Sequence, residues 1–263
     1  MIPFRPSGIV VFLSDFGLRD GYVGEVHGVL LSRFPRVRIV DATHEIAPQD
    51  VGSGAFVLRR ILPSFPSGTV FLAVVDPGVG TDRRPVVAAT GNAAWVGPDN
   101  GLMSLAAGAD ATWHRLDRPD LCRDSPCRTF HGRDVFAPAA AALASGKVRP
   151  ADVGPRIADP VVLSFPGWVP GARRLSGSVV YVDRFGNLVT SIPADAPAPV
   201  PADGCPVRVE AAGRREAGAW GPYCAARVSV HPDSSGFLEV AVAGDRADAV
   251  FGARPGDRLE VSW

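Results

Sequence analysis

The hydrophobic positions of this chain follow two rhythms. Through the N-terminal part, unbroken apolar runs such as Ile9-Val-Val-Phe-Leu13 and Val70-Phe-Leu-Ala-Val-Val75 alternate with stretches of helical spacing. Runs without polar alternation suit strands covered on both faces, as in a parallel sheet. Between them Val23, Val26, Leu30 and Phe34 recur at helical spacing behind Asp20, a candidate N-cap, and Pro35 ends the run. Residues 37–40 read as a short strand and 50–62 as a second helix stopped by Pro63. Strand, helix, strand, helix, strand predicts an α/β layer built on a mostly parallel sheet.

Further on, 85–90 and 93–96 read as a strand pair about Gly91-Asn92, followed by a small helix over 102–107. The charged stretch 110–128 reads as irregular surface. Residues 135–143 are apolar and helical, with Asp134 in the first turn and Pro138 held near the N-terminus, where a proline costs no hydrogen bond. Prolines and glycines crowd between 150 and 176 and predict a linker. Beyond it, short strands at 177–182, 188–192, 207–210, 237–242 and 258–261, with one short helix at 246–251, predict a smaller, β-rich, barrel-like domain. The expected domains are 1–165 and 175–263.

Polar residues collect where apolar runs stop. Asp76 follows the run at 70–75 and opens a glycine-punctuated loop that reaches Arg83; ligands of parallel sheets bind beyond the strands' carboxyl ends. Asp15 holds the same position after the first run, and His131 lies in a loop feeding a helix N-terminus. Twenty-seven basic side chains balance 27 acidic ones, so no global field draws the chain to nucleic acid or an anionic membrane, and a small-molecule ligand is expected. The start of the chain lacks a signal-peptide core, and no apolar stretch nears the ~18 residues of a membrane span. A cytoplasmic location is expected. Nucleotide-loop and nucleophile-elbow motifs are missing. The histidines, His27, His44, His114, His131 and His231, show no metal-binding spacing, so no metal is expected and His44 reads as structural. Cys122, Cys127, Cys205 and Cys224 lack zinc spacing and are expected as free thiols.

Taken in order, the polar loops form a set: Ser14-Asp-Phe-Gly17 with Asp20; Asp41-Ala-Thr-His44 with Pro48 and Asp50; Asp76-Pro-Gly-Val-Gly-Thr-Asp-Arg83; Pro98-Asp-Asn-Gly101; Thr129-Phe-His-Gly-Arg-Asp134; and Asp183-Arg-Phe-Gly-Asn187. From about Ile9 onward this closely resembles the S-adenosylmethionine hydrolases of the hydroxide adenosyltransferase type, relatives of the fluorinating and chlorinating adenosyltransferases. The resemblance implies a homotrimer with substrate held at subunit interfaces, no cofactor, and a product pair of adenosine and L-methionine. It implies Asp76, Arg83 and His131 as the catalytic set and Asp15 as the holder of the ribose diol. Asp183 is implied at the amino-acid end of the substrate. Asn187 and the Ser234-Ser235 turn are implied on the C-terminal substrate wall, with Asp20, Thr129, Phe130, Phe185 and Val242 as further substrate contacts. Two positions depart from the family pattern: Asp233, and the turn Ala243-Gly-Asp-Arg246, each stand where an asparagine is usual. Arg84 and Arg133, one step from the motifs, read equally as ion-pair members.

The chemistry suits these residue types. A sulfonium substrate expels a neutral thioether without acid or metal, so the protein's task is to position a nucleophile in line. His131 is a candidate proton acceptor, Asp76 an orienting group and Arg83 a stabiliser of developing hydroxide charge. A carboxylate at the attack position repels halide, so water is the expected nucleophile. The alternatives are a non-catalytic adenosine- or S-adenosylmethionine-binding module on the same fold and, behind it, a halide-using adenosyltransferase.

Overall fold

The computed structural model describes residues 3–196, 200–222 and 226–263; Cys224 lies outside them. The chain forms two compact units, Met1–Leu163 and Ser164–Trp263.

The first unit runs β1 (Ile9–Ser14), α1 (Tyr22–Arg33), β2 (Arg38–Thr43), α2 (Val51–Ile61), β3 (Thr69–Val74), β4 (Pro85–Ala89), β5 (Ala93–Pro98), α3 (Ser104–Ala107), β6 (Thr112–Arg115), α4 (Ala137–Ala144) and β7 (Arg156–Ile157). Its seven strands lie in the order β2-β1-β3-β5-β4-β6-β7. The β2-β1-β3-β5 half is parallel, and β4, β6 and β7 continue it antiparallel.

Strand side chains alternate faces, and here each face has its own core. Val10, Phe12, Val70, Leu72 and Val74 join Val26 and Leu30 of α1 and the alanines of α4. Val11, Leu13, Phe71, Ala73 and Val75 join Ala55 and Leu58 of α2 and Ala106 of α3. That two-sided burial is why the runs at 9–13 and 70–75 carry no polar alternation. Each fully buried Val, Leu or Phe contributes roughly 1.5–3 kcal/mol, so these two strands anchor whatever sits at their ends.

Several expectations are corrected. Gly21, not Asp20, caps α1, without a side-chain cap bond. Asp50 does cap α2, accepting from Ser53 N at 2.9 Å. The stretch 110–128 contains β6, with Trp113 and His114 buried between β4 and β7. The helix expected at 135 begins earlier as a π-helical turn, Gly132–Phe136, that runs into α4. Short parts of the expected linker are ordered into a 3-10 turn, β7 and β8 (Val169–Gly171).

The second unit continues with β9 (Arg174–Val182), β10 (Leu188–Pro193), β11 (Pro206–Ala211), β12 (Arg214–Trp220), β13 (Val228–Pro232), β14 (Phe237–Val242), α5 (Ala247–Phe251) and β15 (Arg258–Ser262). The order β10-β14-β13-β12-β11-β15-β9 is closed by pairing of β9 with β10, giving a seven-stranded barrel with β8 added outside β9. Leu175, Val209, Val230, Leu238, Val240 and Leu259 fill it. Strands β12 and β13 were not anticipated; β12 opens on exposed charges and buries only its last residues.

Among the described residues no helix is long and apolar enough to cross a membrane. Cys122, Cys127 and Cys205 are free.

Candidate active site

Asp76 follows the buried end of β3, and the chain then folds back on itself. Val79 N donates to Asp76 O at 3.2 Å and Thr81 N to Gly78 O at 3.2 Å. A Cβ on Gly78 would sit 3.1 Å from Arg83 Cγ, so the glycine leaves room for the arginine to return over the loop. Arg83 Nε lies 3.0 Å from each Asp76 carboxylate oxygen, and Nη2 bonds Asp76 Oδ2 as well. Nη2 also reaches His131 Nδ1 at 2.8 Å. The two charged side chains are 9% and 6% exposed, and the ring of Phe136 lies 5.1 Å from the guanidinium carbon.

This geometry assigns protons. A guanidinium only donates, so His131 Nδ1 accepts and the neutral ring carries its proton on Nε2. Burial, then the charge of Arg83, holds the His131 pKa below its ordinary 6.5, outweighing Asp76 and Asp134. The imidazole is therefore neutral at neutral pH. Arg83 Nη1 is buried and makes no hydrogen bond among the described residues. A buried charged donor left unpaired is costly, so Nη1 is poised to take an oxygen ligand.

His131 enters from the π-helical turn. A Cβ on Gly132 would meet Phe16 Cζ at 3.0 Å, so glycine there lets the Ser14-Asp-Phe-Gly17 loop pack against the histidine's own turn. Buried Asp134 secures the approach, accepting from Cys127 N at 2.8 Å and from Arg133 Nε at 2.7 Å. Its pKa is lowered, chiefly by the Arg133 bond. Arg133 also pairs with Glu25 at 2.6 Å. Arg84 bonds Asp99 at 2.7 Å and Asp159 at 2.9 Å, so both arginines pair within their own chain. Asn100 donates to Val75 O at 2.8 Å and tethers its loop to the end of β3.

The other expected residues separate into groups. Asp15 Oδ2 accepts from Gln49 N at 2.8 Å, and Oδ1 has no bond among the described residues. Phe130 packs edge-on against Phe16 and Tyr22, with centroids 5.7 and 5.2 Å away. Thr129 is exposed, its hydroxyl 3.3 Å from Cys127 Sγ, and Asp20 is exposed.

In the second unit Asp183 is used by its own turn. Its oxygens accept from Phe185 N at 2.9 Å, Asn187 N at 2.8 Å and Asn187 Nδ2 at 3.0 Å. Asn187 is buried and Phe185 is 76% exposed. Asp233 does the same for the next turn, accepting from Ser235 N at 2.8 Å and Phe237 N at 2.9 Å, while Ser234 is exposed. The Val242 side chain belongs to the barrel core. Sequence reasoning missed Phe136 beneath Arg83 and the Asn100 tether. The motif Pro98-Asp-Asn-Gly101 was a signal for the second; nothing marked the first.

Comparison with known proteins adds to this geometry. The SAM hydroxide adenosyltransferase N-terminal domain matches residues 10–154 and the C-terminal domain of that family residues 177–260. A relative from Salinispora tropica, an "(R)-S-adenosyl-L-methionine hydrolase", is 40% identical over 98% of both chains. One of the same name from Thermus thermophilus is 40% identical over 94% of this chain and 96% of its own. A fluorinase from Nocardia brasiliensis is 31% identical over 70% of this chain and 71% of its own. The crystal structure of an uncharacterized conserved protein from Thermotoga maritima superposes with a TM-score of 0.90 at 36% identity, covering 97% of this chain and all of the other. The two matching domains and the near full-length relatives show that the chain belongs to the SAM hydroxide adenosyltransferase family.

Proposed function

We propose that this protein is an enzyme that hydrolyses S-adenosyl-L-methionine to adenosine and L-methionine by attack of water at the ribose 5′ carbon. The observation that carries the reading is the continuous Asp76–Arg83–His131 chain with a spare buried guanidinium donor, in a chain 40% identical to named hydrolases over nearly its whole length. Asp76 fixes the guanidinium. A water oxygen on Nη1 gains hydroxide character, and the proton it sheds passes to His131 Nδ1 as the guanidinium shifts from imidazole to nucleophile. The new O–C5′ bond forms as C5′–S breaks, and the electron pair leaves on sulfur as the neutral thioether of methionine. One proton is released per turnover. A neutral histidine places no extra positive charge beside the sulfonium.

In this reading Asp15 binds the ribose diol through Oδ1, with Oδ2 anchored on Gln49. Asp20, Thr129 and Phe130 border the substrate, and Asp183, Phe185, Asn187, Ser234, Ser235 and Val242 complete its binding from the β-rich unit. Asn187 and Val242 are buried, so Val242 contributes through its main chain. No cofactor, nucleic acid or membrane takes part. The protein works in the cytoplasm as a homotrimer with sites at subunit interfaces; a fully active monomer by light scattering would contradict that assembly.

The test is incubation of the purified protein with each sulfonium epimer of the substrate, since the relatives' name specifies the (R) form. Adenosine is resolved by chromatography. In oxygen-18 water the label must enter the 5′ hydroxyl, and added halide must yield no 5′-halo-nucleoside. Binding without adenosine above the uncatalysed control would instead indicate a binding module.

A further inference from the structure

Histidines that are far apart in sequence meet a carboxylate beside β1. His27 lies on α1, Asp41 on β2 and His44 just beyond it. His27 Nε2 is 2.9 Å from Asp41 Oδ1, and His44 Nε2 is 3.1 Å from the same oxygen. One ligand atom from each of the three side chains lies within 4.8 Å of the others.

His44 is the informative member. Its side chain is 2% exposed, packed edge-on against Phe12 at 4.6 Å between centroids. Nδ1 lies 2.8 Å from Ser14 Oγ, whereas buried Nε2 makes no hydrogen bond among the described residues despite its approach to Asp41. With the Nδ1 proton donated to Ser14, Nε2 presents a lone pair to a carboxylate oxygen, and the two repel. With the proton on Nε2, a buried donor goes unbonded, which is also costly. A cation between the three groups relieves either arrangement.

We propose that His27, Asp41 and His44 form a binding site for a divalent transition metal, with zinc as the best match. Two imidazoles and one carboxylate are the donors of borderline metals, whereas magnesium and calcium take oxygen cages. Tetrahedral zinc with arms of ~2.1 Å sets its ligands about 3.4 Å apart, so the present 2.9 and 3.1 Å must open by a few tenths of an ångström. His27 and Asp41, 28% and 41% exposed, are free to move that far and leave a side open for a water ligand. His44 is held by Ser14, the kind of outer partner that fixes the tautomer of a metal-bound histidine. The site shares no residue with the Asp76–Arg83–His131 set. It does adjoin the Asp15 loop, because Gly17 N donates to His44 O at 2.7 Å, so metal there stiffens that loop.

The experiment titrates chelator-treated full-length protein with zinc chloride by calorimetry, with magnesium as control, and repeats it on His27→Ala and Asp41→Asn. His44→Ala empties a buried position and is not used alone. Wild type is expected to take up one zinc with micromolar or tighter affinity, to ignore magnesium, and to melt roughly 5 °C higher at a hundredfold excess over Kd. Each variant should bind at least about tenfold more weakly. Cobalt(II) should give visible absorption bands in wild type that both variants lose. No stoichiometric uptake by wild type would overturn the site and leave a proton-sharing His–Asp–His cluster. Equal uptake by both variants would overturn it too, placing the metal on the free thiols.

Discussion

Asp76 and Asp183 both follow an apolar strand, and both open a loop containing glycine, yet they spend their oxygens differently. Asp183 satisfies amide groups of its own turn, two to four residues away. Asp76 instead holds Arg83, which spans to His131 on another element. A carboxylate consumed by local amides closes a turn. One that orients a distant cation, which keeps a buried donor in reserve, equips a site for chemistry.

The sharpest way to break this contrast is to remove the cation. Arg83→Ala should lower kcat by about 10²–10³-fold and cost roughly 3 kcal/mol or more in stability, since Asp76 stays buried without its partner. Arg83→Lys should restore much of the stability but little of the rate, because a point charge cannot hold Asp76 and His131 together. Single-turnover assays and melting curves separate the two effects, and unchanged turnover in both variants would end the assignment.

Acidification is the next lever. With the His131 pKa below 6.5 in the folded protein, kcat should hold as pH falls past that value and then drop about tenfold per unit as the ring gains its proton. The linked stability has the same sign. Between 6.5 and the lower folded pKa the unfolded chain binds a proton that the folded one does not, so this contribution is full above 6.5 and is lost as pH falls. NMR titration of His131 checks both, and in Arg83→Met its pKa should rise with the positive neighbour gone. A titration at or above 6.5 in wild type would contradict the site's electrostatics.

Asp183→Ala tests the other side of the comparison and should destabilise the β-rich unit by roughly 1–3 kcal/mol as turn amides lose their acceptor. A variant that melted like wild type yet bound substrate poorly would show that Asp183 serves the substrate and not its own turn. The smallest effects distinguish two helix starts. Asp50→Ala should cost about 1 kcal/mol for a lost cap, and Asp20→Ala under about 0.5 kcal/mol, both read by chemical denaturation.

The interior parallel strands were legible because two-sided burial leaves an unbroken apolar signature; β6, β12 and β13 were not. Thr112–Arg115 is short, with Trp113 its one apolar residue, and it becomes a strand because β4 and β7 offer it backbone partners. Arg214–Trp220 opens with exposed charges and is held by pairing along β11. The start of the last N-terminal helix was misplaced for a similar reason: packing of Phe16 on Gly132 and the bonds to Asp134 shape the π-helical turn, and helical spacing carries no trace of either.

From its sequence alone this chain determined which residue types stand at strand ends and in the loops between elements: Asp15 and Asp76 follow apolar runs, Arg83 closes the loop that Asp76 opens, and His131 precedes an apolar helical run, all set by local pattern. Only the tertiary structure decided how they connect. Hydrogen bonds between Arg83 and His131, or among His27, Asp41 and His44, join residues that local rules treat as independent. Their directions, and with them the tautomers and the spare donor on Arg83, exist only once the sheet has brought the loops together.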